Sequence, residues 1–379
     1  MSRRTVYLDY NASAPLLPEA RAAMIDAMDK DGNPASVHGN GRAAKALVQK
    51  ARRQVADLVN AKPEHVVFTS GATEAASTLL TPRYAMGRAE LMMSHLYVCA
   101  SDHPCTLGGG QFSKKAMTVV PVTSDGLIDL PSLETSLSAH DKTSGTALIA
   151  CHHVNSETGG IQPVEEISAV AKAHGAVLVL DCAQSAGRVS IDITDGHADF
   201  LIVSSHKIGG PKGAGAIIAF SDLMMPTPLL TGGGQERGHR SGTEAVTILA
   251  GFGAAAEVAK DRLTKFESLK TVRDTLINDM RTRGANIVVH AENAPRVGNT
   301  VYLSVPGKKA ETLQIAFDLA GFAVSSGSAC SSGKVGKSHV LAAMGVNSDE
   351  GAIRMSFSPD TAPADLNAFT AKLLEISAR

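Results

Sequence analysis

Between about residues 60 and 220 the chain alternates short, unbroken apolar runs with segments of helical periodicity, and few folds accept that pattern. The runs lie at 66–68, 97–100, 118–122, 147–152, 177–180, 200–203 and 214–220. A strand that is apolar at every position must be covered on both faces, and helices between consecutive strands supply the cover. Segment 163–174 is one such helix: Val164, Ile167, Val170 and Ala171 share a face, Pro163 suits its first turn and Gly175 its stop. The expectation is an α/β chain with a mainly parallel sheet, whose ligands sit beyond the carboxyl ends of the strands.

After about residue 255 the rhythm changes. Leu263, Phe266, Leu269, Val272, Leu276 and Met280 mark a long helix, followed by strands near 287–289, 300–303, 323–325 and 353–357 and helices near 312–319 and 365–377. This reads as a smaller α+β domain, formed by residues 1–14 and 256–379, beside a larger domain of residues 15–255. A chain of 379 residues is too long for one ordinary core, so two domains is the natural division.

Composition narrows the function. With 44% hydrophobic and 19% charged residues the chain is globular. Its 36 basic and 37 acidic residues give a net charge of -1 without a basic block, so no electrostatic footprint for nucleic acid or an anionic membrane is present, and a small substrate is expected. No apolar h-region follows Arg3 and Arg4, and no apolar run reaches the roughly eighteen residues of a membrane span. Cys99, Cys105, Cys151, Cys182 and Cys330 are odd in number and irregularly spaced, which points to reduced thiols in the cytoplasm.

Polar groups close the apolar runs, where such a sheet places its site. The run at 177–180 ends in Asp181, with Gln184 beyond, and that at 200–203 in Ser204-Ser205-His206-Lys207. The run at 66–68 leads to Ser70-Gly71-Ala72-Thr73-Glu74, and that at 147–152 to His153-Val154-Asn155. A lysine and an aspartate leaving neighbouring strand ends fit pyridoxal 5'-phosphate (PLP): the amine forms a Schiff base, and the carboxylate keeps the pyridine nitrogen protonated so that the ring accepts electrons. Small residues before Thr73 at a helix start would offer N–H groups to the phosphate.

With these residues in view, the chain resembles the cysteine desulfurases of the class-V aminotransferase group, fold-type I PLP enzymes. The resemblance runs from Tyr7-Leu8-Asp9-Tyr10-Asn11 to about Phe357. Its most specific pieces are Ser204-Ser205-His206-Lys207 with Gly210-Pro211-Lys212-Gly213, Arg240-Ser241-Gly242-Thr243, and Ser325-Ser326-Gly327-Ser328-Ala329-Cys330, the last typical of the subgroup with a longer, mobile cysteine loop. It implies a large domain built on a mainly parallel, seven-stranded sheet. Carried over by position, it makes Lys207 the Schiff-base lysine and proton shuttle, Asp181 the partner of the pyridine nitrogen, and Gln184 a donor to the ring oxygen. His103 stacks on the ring and assists proton transfer. Ala72, Thr73, Ser204 and His206 hold the phosphate, with Thr243 reaching over from the second subunit of a homodimer. Asn155 and Arg354 grip the substrate carboxylate, and Asn33 matches a position lining the site. Gly209, Cys105 and Cys182 depart from common family residues.

The implied reaction takes sulfur from L-cysteine, leaving L-alanine and a persulfide on Cys330, for a sulfur acceptor such as an iron–sulfur scaffold protein. A thiol attacks as thiolate, and His103 is the candidate to receive the Cys330 proton. A selenocysteine lyase or an aminotransferase on the same scaffold is the runner-up enzyme, although an aminotransferase needs no thiol nucleophile. A catalytically silent assembly scaffold fits poorly with Lys207, Asp181, His103, Arg354 and Cys330 all in place. Gly336-Lys337-Ser338 lacks the first glycine of a phosphate loop. Cys151-His152-His153 puts only two side chains on one face of a strand, short of a zinc set, so no metal is expected.

Overall fold

The computed structural model describes residues 5–326, 337–346 and 351–378. The seven apolar runs form strands Val66–Thr69, Ala89–Cys99, Met117–Val120, Thr146–His152, Val177–Asp181, Phe200–Ser204 and Gly215–Ala219. Their unbroken hydrophobicity has the expected cause. Alternate side chains enter opposite faces: Leu178, Leu180, Ile149, Leu201 and Val203 join one core, whereas Val177, Val179, Leu148, Phe200 and Ile202 join the other. Helices Gly39–Asp57, Leu130–Ser138, Val164–His174 and Val246–Asp261 bury apolar residues in the first core, and helix Ala72–Leu79 does so in the second. Gly175 ends helix Val164–His174 in the left-handed region, at φ 68°, and its N–H returns to the last turn.

The centre of the sheet is parallel. Strand Val177–Asp181 lies between Thr146–His152 and Phe200–Ser204, and Thr146–His152 pairs in turn with Ala89–Cys99. The margins are antiparallel. Residues 205–214 are too few for a helical crossover, so Gly215–Ala219 returns antiparallel beside Phe200–Ser204 and pairs with Val66–Thr69. At the far edge the short strands Arg83–Met86 and Met224–Pro226 extend the seven strands to a nine-stranded sheet. Arg83–Met86 is exposed at three of its four positions and so carries no apolar run that would announce it.

A separate core gathers Leu269, Leu276 and Met280 of helix Leu263–Thr282 with Val301, Leu303, Phe317, Ile353, Met355 and Phe369. Its antiparallel sheet comprises Val288–Val289, Thr300–Ser304 and Ile353–Ser356. The N-terminal strand Val6–Tyr7 pairs with Phe322–Ala323, and Leu8 belongs to this core, whereas Ala256 and Ala259 belong to the larger one. Among the described residues no helix is long and apolar enough to cross a membrane.

Phe369, fully buried, stacks on Phe317 with ring centroids 4.6 Å apart. Phe369→Ala is expected to cost about 3–5 kcal/mol in urea unfolding; a change below about 1 kcal/mol would show that this ring is not central to the smaller core.

Candidate active site

The carboxyl ends of the central strands open into a cavity of about 590 Å³. Eight of the expected residues line it: Lys207, Asp181, Gln184, His103, Ala72, Thr73, Ser204 and His206. They come from four chain segments that the sheet order brings together. Asp181 is the last residue of the central strand, and Lys207 ends the turn Ser205–Lys207 that follows the neighbouring strand.

Asp181 is only 8% exposed, and its Oδ1 accepts the Ala183 N–H at 2.9 Å. Burial raises its pKa above the ordinary carboxylate value, while the Ala183 bond, His152 and Lys207 oppose the rise. Lys207 Nζ donates to the carbonyl oxygens of Asn11 and Ala12 at 2.6 and 3.0 Å. Gln184 donates to Asn11 O at 2.9 Å and accepts from Arg188 Nη1 at 2.5 Å. Arg188 also donates to Asn11 Oδ1 at 2.8 Å, and burial, then Arg354, lowers its pKa to about 9. Asn11 and Arg188 therefore tie Gln184 and Lys207 into one framework. Their functional part was missed in the sequence, although Asn11 stands in the N-terminal stretch that carries the resemblance.

At the opposite side, Ser70 and Gly71 lead into helix Ala72–Leu79, whose first amides have no intrahelical partner and no side-chain cap. A Cβ at Gly71 would meet nothing within 4 Å, which leaves open space in front of those amides. Gly215 makes this approach possible, because a Cβ there would stand 2.6 Å from the Gly71 carbonyl carbon. Lysine amine, buried carboxylate, hydroxyls and an open helix N-terminus are the donor set that PLP requires. The residues fit that cofactor.

His103 caps the short helix Pro104–Leu107, its Nδ1 accepting the Cys105 N–H at 3.2 Å. Burial, then Lys207 and His339, push the imidazole down to about 4, so it is neutral at neutral pH. The turn before it is held by Asp102, a buried residue that the sequence reading did not single out. Its carboxylate accepts from Cys99 N, His152 N and His152 Nδ1 at 3.1, 2.8 and 2.6 Å. His339 Nε2 lies 2.8 Å from the Asp102 carbonyl oxygen, joining helix His339–Ala343 to the same turn.

Other expected residues stand elsewhere. Asn155 is buried but spends its side chain on its own turn, donating to Ser101 O and accepting from Glu157 N and Thr158 N; its neighbours Val154 and Ser156 line the cavity. Arg354, 1% exposed, donates to Asp9 Oδ1 at 2.7 Å and to Ser156 O at 2.8 Å, one residue behind the cavity wall, and its buried Nε has no partner among the described residues. Asn33 is exposed, accepting the Ala35 N–H at 2.9 Å, and Thr243 is exposed as well. Neither lines the cavity of its own chain. Cys330 lies outside the described residues.

One cluster of metal-ligating groups occurs among the described residues. Ligand atoms of Cys99, Asp102, Cys151 and His152 all lie within 4.8 Å of one another. Gln162 Oε1 accepts from Ile128 N at 2.8 Å, so its Nε2 is the donor that faces His152 Nε2 at 2.8 Å. His152 Nε2 therefore accepts, and Nδ1 carries the proton donated to Asp102. The one lone pair of that imidazole already accepts from Gln162, and the two thiols pack as core residues.

Comparison with known proteins places this site in a family. The aminotransferase class-V model matches residues 6–369, and the chain belongs to that family. It is similar to a protein named cysteine desulfurase IscS from Dictyoglomus turgidum, at 33% identity over 98% of this chain and 94% of the relative. Among solved structures it resembles a NifS-like protein from Rickettsia africae, with TM-score 0.88 and 30% identity over 99% of this chain and 100% of the other. It also resembles SspA, solved in complex with cysteine, with TM-score 0.75 and 27% identity over 94% and 100% of the two chains.

Gly215→Ala is expected to cost about 1–3 kcal/mol in thermal unfolding, because the Gly71 backbone must shift, and to lower the PLP content of the purified protein. An unchanged melting temperature with full PLP content would show that Gly215 does not support the cradle.

Proposed function

We propose that the chain is a PLP-dependent cysteine desulfurase that converts L-cysteine to L-alanine and holds the sulfur as a persulfide on Cys330. The observation that carries this reading is the meeting of Lys207, buried Asp181 and His103 in one cavity with an open helix N-terminus. The names of the relatives point to the same reaction.

Lys207 would hold the cofactor covalently, Asp181 its ring nitrogen and Gln184 its ring oxygen, with Ala72, Thr73, Ser204 and His206 around the phosphate. When bound, PLP supplies an aldehyde for the substrate amine and a ring that accepts electrons. Asp181 would act as an anion, its burial offset by a positive charge on the ring nitrogen when PLP is bound. Lys207 would also move the proton from the substrate α-carbon and return it there. Cys330 sulfur would attack the substrate sulfur, the carbon–sulfur bond breaking with its electron pair to the β-carbon; the β-carbon takes one proton and the α-proton returns, which leaves alanine. Arg354, whose Nε is free of protein partners among the described residues, is the proposed carboxylate anchor, reached through the wall at Ser156. Asn155 would act by shaping the Val154–Ser156 wall, since its amide is already engaged.

The assembly we propose is a homodimer, in which exposed Thr243 serves the partner's phosphate site. The domain boundary is proposed near Arg262, between helices Val246–Asp261 and Leu263–Thr282, a few residues beyond 255, because Ala256 and Ala259 pack in the larger core. The persulfide would pass to a sulfur acceptor of the iron–sulfur assembly type in the cytoplasm.

Incubation with L-cysteine is expected to yield alanine and one added sulfur on Cys330 by mass spectrometry. Cys330→Ser should keep PLP but form no persulfide above background, whereas Cys151→Ala should keep sulfur transfer. Full desulfurase activity in Cys330→Ser, or sulfur on another cysteine after one turnover, overturns the assignment.

A further inference from the structure

Cys105 is a thiol with no part in the proposed reaction, yet it lines the cofactor cavity. Cys99, Cys151 and Cys182 are fully buried, while Cys105 is partly exposed. Its Sγ lies 3.0 Å from His103 Nδ1, the nitrogen that also accepts the Cys105 main-chain N–H at 3.2 Å. A main-chain N–H only donates, so the nitrogen it meets carries no proton, and the neutral ring must be protonated on Nε2. This excludes a thiolate–imidazolium pair, which would need a proton on Nδ1. The charges around the pair agree. Burial, then Asp181, and further Asp102, push the Cys105 thiol up to about 12 against a contact with Thr106, so sulfur keeps its hydrogen, and Nδ1 at 3.0 Å is a nearer acceptor than Thr106 Oγ1 at 3.9 Å. His103 in turn faces Lys207 from the turn after the central strands and His339 from helix His339–Ala343, both of which disfavour a cationic ring.

We propose that Cys105 is a positioning residue that, together with its own main-chain N–H, holds His103 as the Nε2–H tautomer, so that the resting imidazole presents its Nε2–H to the cavity as a donor. Nε2 has no hydrogen-bond partner among the described residues, which leaves this donor for whatever enters the cavity. A neutral histidine with a lowered pKa is known elsewhere as an electrophilic donor of this kind. In this tautomer Nε2 carries a proton at rest, so His103 would enter the reaction as a donor at that nitrogen. The catalytic use of the donor rests on the desulfurase reading; the tautomer does not.

The test is a long-range proton–nitrogen NMR correlation on PLP-loaded enzyme labelled with nitrogen-15 in histidine, with His103 assigned by its loss in His103→Gln. The expected spectrum shows His103 protonated on Nε2 alone from pH 8 to 5. Cys105→Ala removes one of two donors to Nδ1, and a lost neutral hydrogen bond of about 0.5–1.5 kcal/mol corresponds to a rise of roughly half to one pH unit in the His103 midpoint. Cys105→Ser, whose hydroxyl can donate, should restore the wild-type titration. An Nδ1–H or mixed tautomer in the wild type overturns the proposal, as does a Cys105→Ala titration identical to wild type. Alanine production separates the two readings: normal turnover with the wrong tautomer defeats only this inference. The right tautomer without turnover defeats only the desulfurase reading.

Discussion

Burial pushes the Asp181 carboxyl toward its neutral form, and the surrounding fold must offset that penalty if the group is to act as an anion. Most of the site can be read as a response. Asp181 ends a strand with parallel neighbours on both sides, so its side chain meets residues delivered by several segments at once. The Ala183 N–H and the neighbourhood of His152 and Lys207 favour ionisation. The protonated ring of PLP would complete the balance. The same burial that makes the carboxylate costly without the cofactor makes its interaction strong with it, because charges attract more in a medium that excludes water.

The thiols divide along similar lines. Cys99, Cys151 and Cys182 alternate inward on sheet strands or just beyond a strand end and behave as small core residues. Burial raises the Cys182 pKa beyond the usual thiol range, which suits packing and opposes reactivity. Cys105 sits at the edge of the cavity, its Sγ 3.0 Å from His103 Nδ1, the nitrogen that also accepts the Cys105 main-chain N–H.

Much of this was legible in the sequence. Unbroken apolar runs announce strands covered on both faces, and the polar residues that close them, Asp181 and Ser204 to Lys207, sit at the cavity as that logic requires. The hairpin edge at Arg83–Met86 was not legible, because an exposed strand has no core side to display. Nor was the framework of Asn11, Asp102 and Arg188, for hydrogen bonds between residues far apart in the chain leave no local period. Arg354 and Asn155 show the complementary limit. Their residue types suit a carboxylate, but only coordinates reveal that Asp9, Ser156 O and the turn amides already engage them.

The central claim is that Lys207 holds the cofactor in the cavity bounded by Asp181, and its most direct test is chemical trapping. Purified PLP-loaded protein, reduced with borohydride and digested, should yield one pyridoxyl-labelled peptide, with the label on Lys207. A label on Lys212 or any other lysine, or no label from protein that carries PLP, would contradict the account.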